Sequence, residues 1–211
     1  MLQSISSGLL SLAGSAPLAA ISAVAVKNPF MWYVTRASAT SSYITLSLLV
    51  ILGLTRSMIR INGSRISWWL DEAHQFLALL TAGLVGLHLV SLLFDALIPF
   101  SLLNILLPVN EPYRAVPVAI GVISMYGMAV VLSSSWLRKR VGQKTWRLLH
   151  YLSFAVFAGV TLHGVLAGAD SSQPWMIFIY VAAALAVGLL TFLRIFSRPQ
   201  VQPARAGLPR R

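Results

Sequence analysis

The sequence predicts an all-α integral membrane protein, a bundle of six helices, and three observations carry that prediction. Apolar residues make up 57% of the chain and charged residues only 10%, whereas soluble domains run near a quarter charged. With a mean hydropathy of +0.79 over 211 residues, a globule of this size has no interior large enough to hide its apolar surface. The few charges leave long uncharged runs, each near the roughly 20 residues with which a helix crosses about 30 Å of hydrocarbon. A helix satisfies its own backbone hydrogen bonds in lipid, so runs of this length are expected to span as helices.

Within the lead-in, residues 1–30, the stretch Ile5 to Val26 carries no charge but is diluted by Ser, Gly and Pro17, and it reads as a weak first transmembrane helix. Met1 to Leu10 lacks the positive opening of a secretory signal. The main domain, residues 31–197, holds five further runs: Ala37 to Thr55, Ala73 to Phe94, Ala115 to Leu137, Leu148 to Ala169 and Ser171 to Leu193. The connection Asp95 to Arg114 is too apolar for a solvated loop and too short to span. Pro99 and Pro108 bound a segment, Phe100 to Leu107, expected to form a short interfacial helix. The tail, residues 198–211, is rich in Pro and Arg and is expected to be disordered. No internal repeat and no soluble domain is visible.

Loop charge sets the expected orientation, because Lys and Arg collect on the cytoplasmic side. Arg56, Arg60 and Arg65 form one basic group, Arg138, Lys139, Arg140, Lys144 and Arg147 a second, and Arg194, Arg198, Arg205, Arg210 and Arg211 a third. All three are expected to be cytoplasmic, which with six spans puts both termini inside. The opposite loops hold only Lys27, Arg36 and Arg114 against Asp95, Glu111 and Asp170. Topology and phospholipid contact therefore explain the net charge of +11, and nucleic acid is not an expected partner. The absence of cysteine excludes disulfides, thiolate ligands and iron–sulfur clusters bound by this chain.

The chain's four histidines fall in two of the spans: His74 and His88 in one, His150 and His163 in the other. Both spans follow a basic loop and so run in the same direction. His74 and His150 then share a level near the cytoplasmic face, and His88 and His163 share one roughly 20 Å deeper at 1.5 Å per residue. Ionisable groups inside a span are costly and usually face a partner within the bundle. A cofactor plane with two axial imidazoles fits each level, and haem iron is the usual one. Zinc would want further Cys or carboxylate ligands, which the spans do not offer. The plain alternative is four polar residues used in helix packing. Fourteen residues fall about 40° short of four turns, so His74 and His88 share a face, with Ala78, Thr81 and Val85 between them. The thirteen-residue step from His150 to His163 leaves the second ring about 140° from a straight stack. Local tightening or a bend near Gly159, or two haems rotated relative to each other, would reconcile it.

The paired spacings, HQFLALLTAGLVGLH on one helix and HYLSFAVFAGVTLHG on the other, resemble the ferric reductase-like transmembrane domain. NADPH oxidases, ferric reductases and the bacterial haem subunit of methionine sulfoxide reductase share that domain. The resemblance runs from about Trp32 to Ser171 and includes KTWRLLHYLS and LHGVLAGADS. It implies six helices with two b-type haems between the third and fifth, the inner iron held by His74 and His150 and the outer by His88 and His163. It also singles out Arg36, in WYVTRAS, as a cation beside the outer haem on the acceptor side. An interfacial Arg reaching for water is the alternative reading of that residue. The sequence departs from the family at Ala39, where Gly is common. These residues contain no Gly-rich dinucleotide fingerprint of the kind that a flavin and nicotinamide domain carries.

The expected function is transmembrane electron transfer by the membrane subunit of an oxidoreductase, in a bacterial inner or plasma membrane. Its donor would be a separate cytosolic flavoprotein dehydrogenase, or quinol. The outer acceptor would be oxygen, a ferric chelate or a periplasmic reductase. One alternative is a quinol-oxidising cytochrome b subunit of a periplasmic reductase. Another, from a different class, is a non-redox membrane channel or scaffold.

Overall fold

The computed structural model describes residues 29–58, 65–95, 97–98, 100–108 and 113–196. Seven helices occupy them: α1 Phe30–Met58, α2 Arg65–Leu93, α3 Leu102–Leu106, α4 Ala115–Trp136, α5 Arg138–Val141, α6 Gln143–Ala167 and α7 Pro174–Phe196. Five of these, α1, α2, α4, α6 and α7, are long and apolar enough to cross a membrane. The expected first span, 5–26, and the tail, 198–211, lie outside the described residues.

α1 is the centre of the bundle. Tyr43, Leu46, Val50 and Leu54 recur at helical spacing and are buried against Phe157 of α6 and Met176, Tyr180, Ala183 and Val187 of α7. Between these apolar positions α1 buries Ser38, Ser42 and Ser47. Their hydroxyls donate to the Val34, Ala39 and Tyr43 carbonyls one turn back, at 2.7, 2.8 and 2.8 Å, so no donor is stranded in the apolar interior. Two hydroxyl pairs join α1 to α2 along their length, Thr35 to Ser91 at 2.8 Å and Thr81 to Thr45 at 3.0 Å. Away from these seams, Leu79, Phe178 and Ile195 are mostly exposed, as lipid-facing side chains are.

The helices pack as two antiparallel pairs, α1 on α2 and α4 on α6, with α1 also touching α6 and α7. α2 and α6, the two histidine helices, are not among the extensively packed pairs. The space between them is the feature on which the site is built. All three basic groups, where described, come to one end: Arg56 closes α1, Arg138 to Arg147 join α4 to α6 through α5, and Arg194 lies in the last turn of α7. Arg56 also donates to Asp71 in α2 at 2.8 Å.

At the other end the connection between α2 and α4 contains the short helix expected from its apolar sequence, as Leu102–Leu106. Ser101 and Asn104 cap it reciprocally: the Asn104 N–H donates to the Ser101 hydroxyl at 3.3 Å and the Ser101 N–H to Asn104 Oδ1 at 3.0 Å.

No local tightening of the helix occurs at Gly159. α6 is α-helical without interruption from Gln143 to Ala167, and what Gly159 supplies is close approach: a Cβ there would lie 2.3 Å from Ser124 Oγ on α4. Gly159→Ala is therefore expected to weaken the α4–α6 seam by about 1–3 kcal/mol, read as lowered stability in a denaturant titration in micelles. Ser124→Ala should recover most of the loss in the double variant. Gly83→Ala, with open space around the added methyl, should cost nothing.

Candidate functional site

The gap between α2 and α6 contains two cavities, one toward each end, and each is lined by one histidine from each helix. The cavity at the end away from the basic groups, termed outer for that position alone, is about 240 Å³ and has His88 and His163 in its wall; the one at the basic end, about 1090 Å³, has His74 and His150. The structure therefore brings the four histidines together in the pairs expected from their spacing. His74 and His150 face one another with ring centroids 6.3 Å apart. Metal–imidazole bonds of about 2 Å on each side, extended by a ring radius of about 1 Å, would separate two centroids by about 6 Å.

The outer imidazoles are held by backbone. His88 Nδ1 lies 3.1 Å from the Thr35 carbonyl and His163 Nδ1 lies 2.8 Å from the Pro117 carbonyl. A carbonyl only accepts, so each Nδ1 carries the proton and each neutral ring leaves Nε2 with a free lone pair. This is the arrangement by which proteins orient a metal-binding histidine. At His88 the bonds close on themselves: the Thr35 hydroxyl donates to Ser91 Oγ, and Ser91 donates to the His88 carbonyl at 2.9 Å.

The local sequence explains how a ring reaches a carbonyl that its own helix already uses. On a helix the Cα–Cβ bond leans toward the N-terminus, so the side chain at i+4 shades the carbonyl at i. Four residues after Pro117 stands Gly121, where a Cβ would lie 2.7 Å from His163 Nδ1. Four after Thr35 stands Ala39, which also lines the outer cavity. His74 repeats the pattern against Gly53, 3.1 Å from where its Cβ would be, with the Leu49 carbonyl four residues before. His74 Nδ1 and His150 Nδ1 are both buried without a hydrogen-bond partner.

Charge rims both cavities. Arg56, Arg138, Arg147 and Arg194 line the one at the basic end, a set able to neutralise acidic substituents of a bound group. Arg36 lines the outer cavity as expected, but not as a bare cation. Its guanidinium is paired with Asp170 of the α6–α7 loop, Nε to Oδ2 at 2.7 Å, and lies over the Trp32 ring at 4.1 Å. Acidic residues do therefore accompany the sites, Asp71 at one and Asp170 at the other, each engaged by an arginine. Among the described residues no group of three or more His, Cys, Asp or Glu could hold a metal ion, so the donors on offer are imidazoles in twos. At the basic end, His74 and His150 on either side of a cavity suit a flat group held between them.

Residues 38–161 match the family described as Ferric reductase like transmembrane component, more than half of the chain. The chain belongs to that family. The match takes in His74, His88 and His150 and ends two residues before His163, while Arg36 lies two residues before it begins. No match to a curated protein or to a solved structure was found. As a ferric reductase-like component, the chain is an integral membrane protein whose family points to electron transfer across the membrane.

Sequence reasoning did not reach Thr35, Ser91, the Pro117 carbonyl, Gly121 or Asp170, although the quoted segments WYVTRAS and LHGVLAGADS contain Thr35 and Asp170. Ser91 is 1% exposed, so an unmade bond there is costly. Thr35→Val is expected to cost about 1–2 kcal/mol in micelle unfolding titrations, and Ser91→Ala a similar amount. The double variant should cost clearly less than the sum, because the two hydroxyls serve one another.

Proposed function

We propose that this chain carries electrons across the membrane by means of two b-type haems, one held by His74 and His150 and the other by His88 and His163. The direction is from a cytoplasmic donor to an outer acceptor. The observation that carries the reading is the repetition, at two levels of one gap, of a cavity lined by one imidazole from each histidine helix. In the outer pair both rings are turned by backbone carbonyls so that Nε2 is the free nitrogen.

Haem iron with two axial imidazoles would supply reversible one-electron transfer without an open coordination position. The residues of the chain do the rest. Thr35, Pro117 and Gly121 orient the outer rings; Gly53 makes room for His74. The Leu, Val and Met side chains of the cavity walls exclude water, keeping one-electron chemistry from leaking to solvent. Arg56, Arg138, Arg147 and Arg194 place positive charge where acidic haem substituents would need it.

Purified protein is expected to show two low-spin b haems in a reduced-minus-oxidised spectrum. His88→Ala should leave one of them, and His150→Ala should leave the other. A colourless parent, or a His88→Ala variant that keeps both haems, would refute the assignment.

The donor is proposed to be a cytosolic flavoprotein that docks on the basic segment between α4 and α6, where Lys139 and Lys144 are exposed. With insertion checked independently, Lys139→Glu combined with Lys144→Glu should slow haem reduction by that donor several-fold. The same change should make its salt dependence shallower. Arg36→Ala should leave reduction unchanged and slow only reoxidation by the outer acceptor. Parent rates in both variants would remove the charges from the electron path.

A further inference from the structure

Two of the four imidazoles are held by a backbone carbonyl with a small residue four positions later, His88 by Thr35 with Ala39 and His163 by Pro117 with Gly121; His74 lies beside Gly53, four residues after Leu49, but its Nδ1 has no hydrogen-bond partner. On α1 the two cradles are fourteen residues apart, matching the fourteen-residue step between His74 and His88. Continuing the pattern on α4, fourteen residues beyond Pro117 and Gly121, reaches Val131 and Ser135. That position is already filled. The Val131 carbonyl accepts the Ser134 and Ser135 hydroxyls at 2.9 and 2.8 Å, and no glycine opens it.

α6 departs in the same place. Its histidines are thirteen residues apart, so His150 is turned about 100° around the helix from Leu149, the position that would continue the repeat. His150 Nδ1, like His74 Nδ1, is buried without a hydrogen-bond partner, and among the described residues His150 has no glycine cradle beside it. What the ring does have is Trp146, one turn earlier on α6, stacked on it at 5.1 Å between centroids and 28° between planes. Trp146 is itself fixed twice: its Nε1–H donates to Ser135 Oγ at 3.2 Å, and the Arg138 guanidinium lies over its ring at 4.2 Å. Arg138 in turn donates to Gln143 Oε1 at 2.9 Å. Ser135, standing where the pattern would have a glycine, thus holds the indole instead of admitting a ring.

We propose that Trp146, held by Ser135 and Arg138, is the positioning residue of His150, doing by ring stacking what a backbone carbonyl does for His88 and His163. The inference rests on the haem reading above. Stacking fixes the plane of a ring but neither its proton nor its rotation within that plane, and such a contact is weaker than a hydrogen bond to a carbonyl in a dry site. His150 would then depend on Trp146 to stay in place as a ligand.

The test uses the full haem-loaded chain and reads spin state in the oxidised form and carbon monoxide binding in the reduced form. Trp146→Ala is expected to turn one of the two haems high-spin and carbon monoxide-reactive, with free imidazole returning it to the low-spin state. Trp146→Phe, which keeps a stacking ring, should retain two low-spin haems. Ser135→Ala, which frees only the indole N–H, should give a partial carbon monoxide-binding fraction and serves as the test if Trp146→Ala does not accumulate. In a His88→Ala background the whole change should fall on the single remaining haem. Two low-spin, unreactive haems in Trp146→Ala, or loss of both haems together, would overturn the role of Trp146. No carbon monoxide-binding fraction in Ser135→Ala would overturn the Ser135 hold. A parent lacking two haems would instead overturn the site assignment on which it rests.

Discussion

The constraint on which the rest depends is that α2 and α6 stay apart. Helices in lipid normally close to about 8–10 Å between axes, and small residues bring them closer; here the two helices that carry the histidines do not. Their separation is maintained from outside. α1 packs along α2 and α4 along α6, while the core of α1, α6 and α7 around Tyr43, Phe157 and Tyr180 ties the two pairs together. Gly159 belongs to this arrangement: it lets α4 and α6 approach closely one turn before His163, whose ring reaches the Pro117 carbonyl of α4. A bundle packed uniformly would have no cavity at either level.

Within that gap the governing cost is that of a polar group without water. The hydroxyls of Ser38, Ser42 and Ser47 meet it by returning to their own helix. The outer histidines meet it by crossing to another helix, which is possible only where Gly121 or Ala39 leaves a carbonyl uncovered. One rule therefore satisfies the buried donor and sets the direction of the ligating nitrogen. Ala39 is compatible with this rule, since a methyl at the edge of the outer cavity still leaves the Thr35 carbonyl within 3.1 Å of His88 Nδ1. The ion pair of Arg36 with Asp170 follows the same economy at the outer rim, where neither charge is fully solvated.

Much of this was readable in advance, for physical reasons that differ from element to element. Long uncharged runs leave the backbone no choice but helix, so five spans were recognised; α1, α2, α6 and α7 extend past an end of their runs because polar residues continue the helix, while α4 stays within its run. The helix at Leu102–Leu106 was signalled by apolar residues between prolines. The pairing of histidines by level follows from 1.5 Å per residue and a common direction. The close approach that Gly159 permits was not legible, because a glycine within a helix looks alike in sequence whether it supplies flexibility or room. Asp170 was counted as a loop charge, since nothing in a linear chain says that residue 170 folds back onto residue 36.

Composition and spacing alone settle that the chain lives in a membrane, which helices carry imidazoles, and which imidazole stands level with which. These are one-dimensional properties, governed by hydropathy and helical rise. Only the packing decides what holds each imidazole. The contacts between His163 and Pro117, His88 and Thr35, and Trp146 and Ser135 depend on which helix lies alongside and which face it turns. That is set by the seams of small residues and hydroxyls between helices, whose consequence appears only once the helices are side by side.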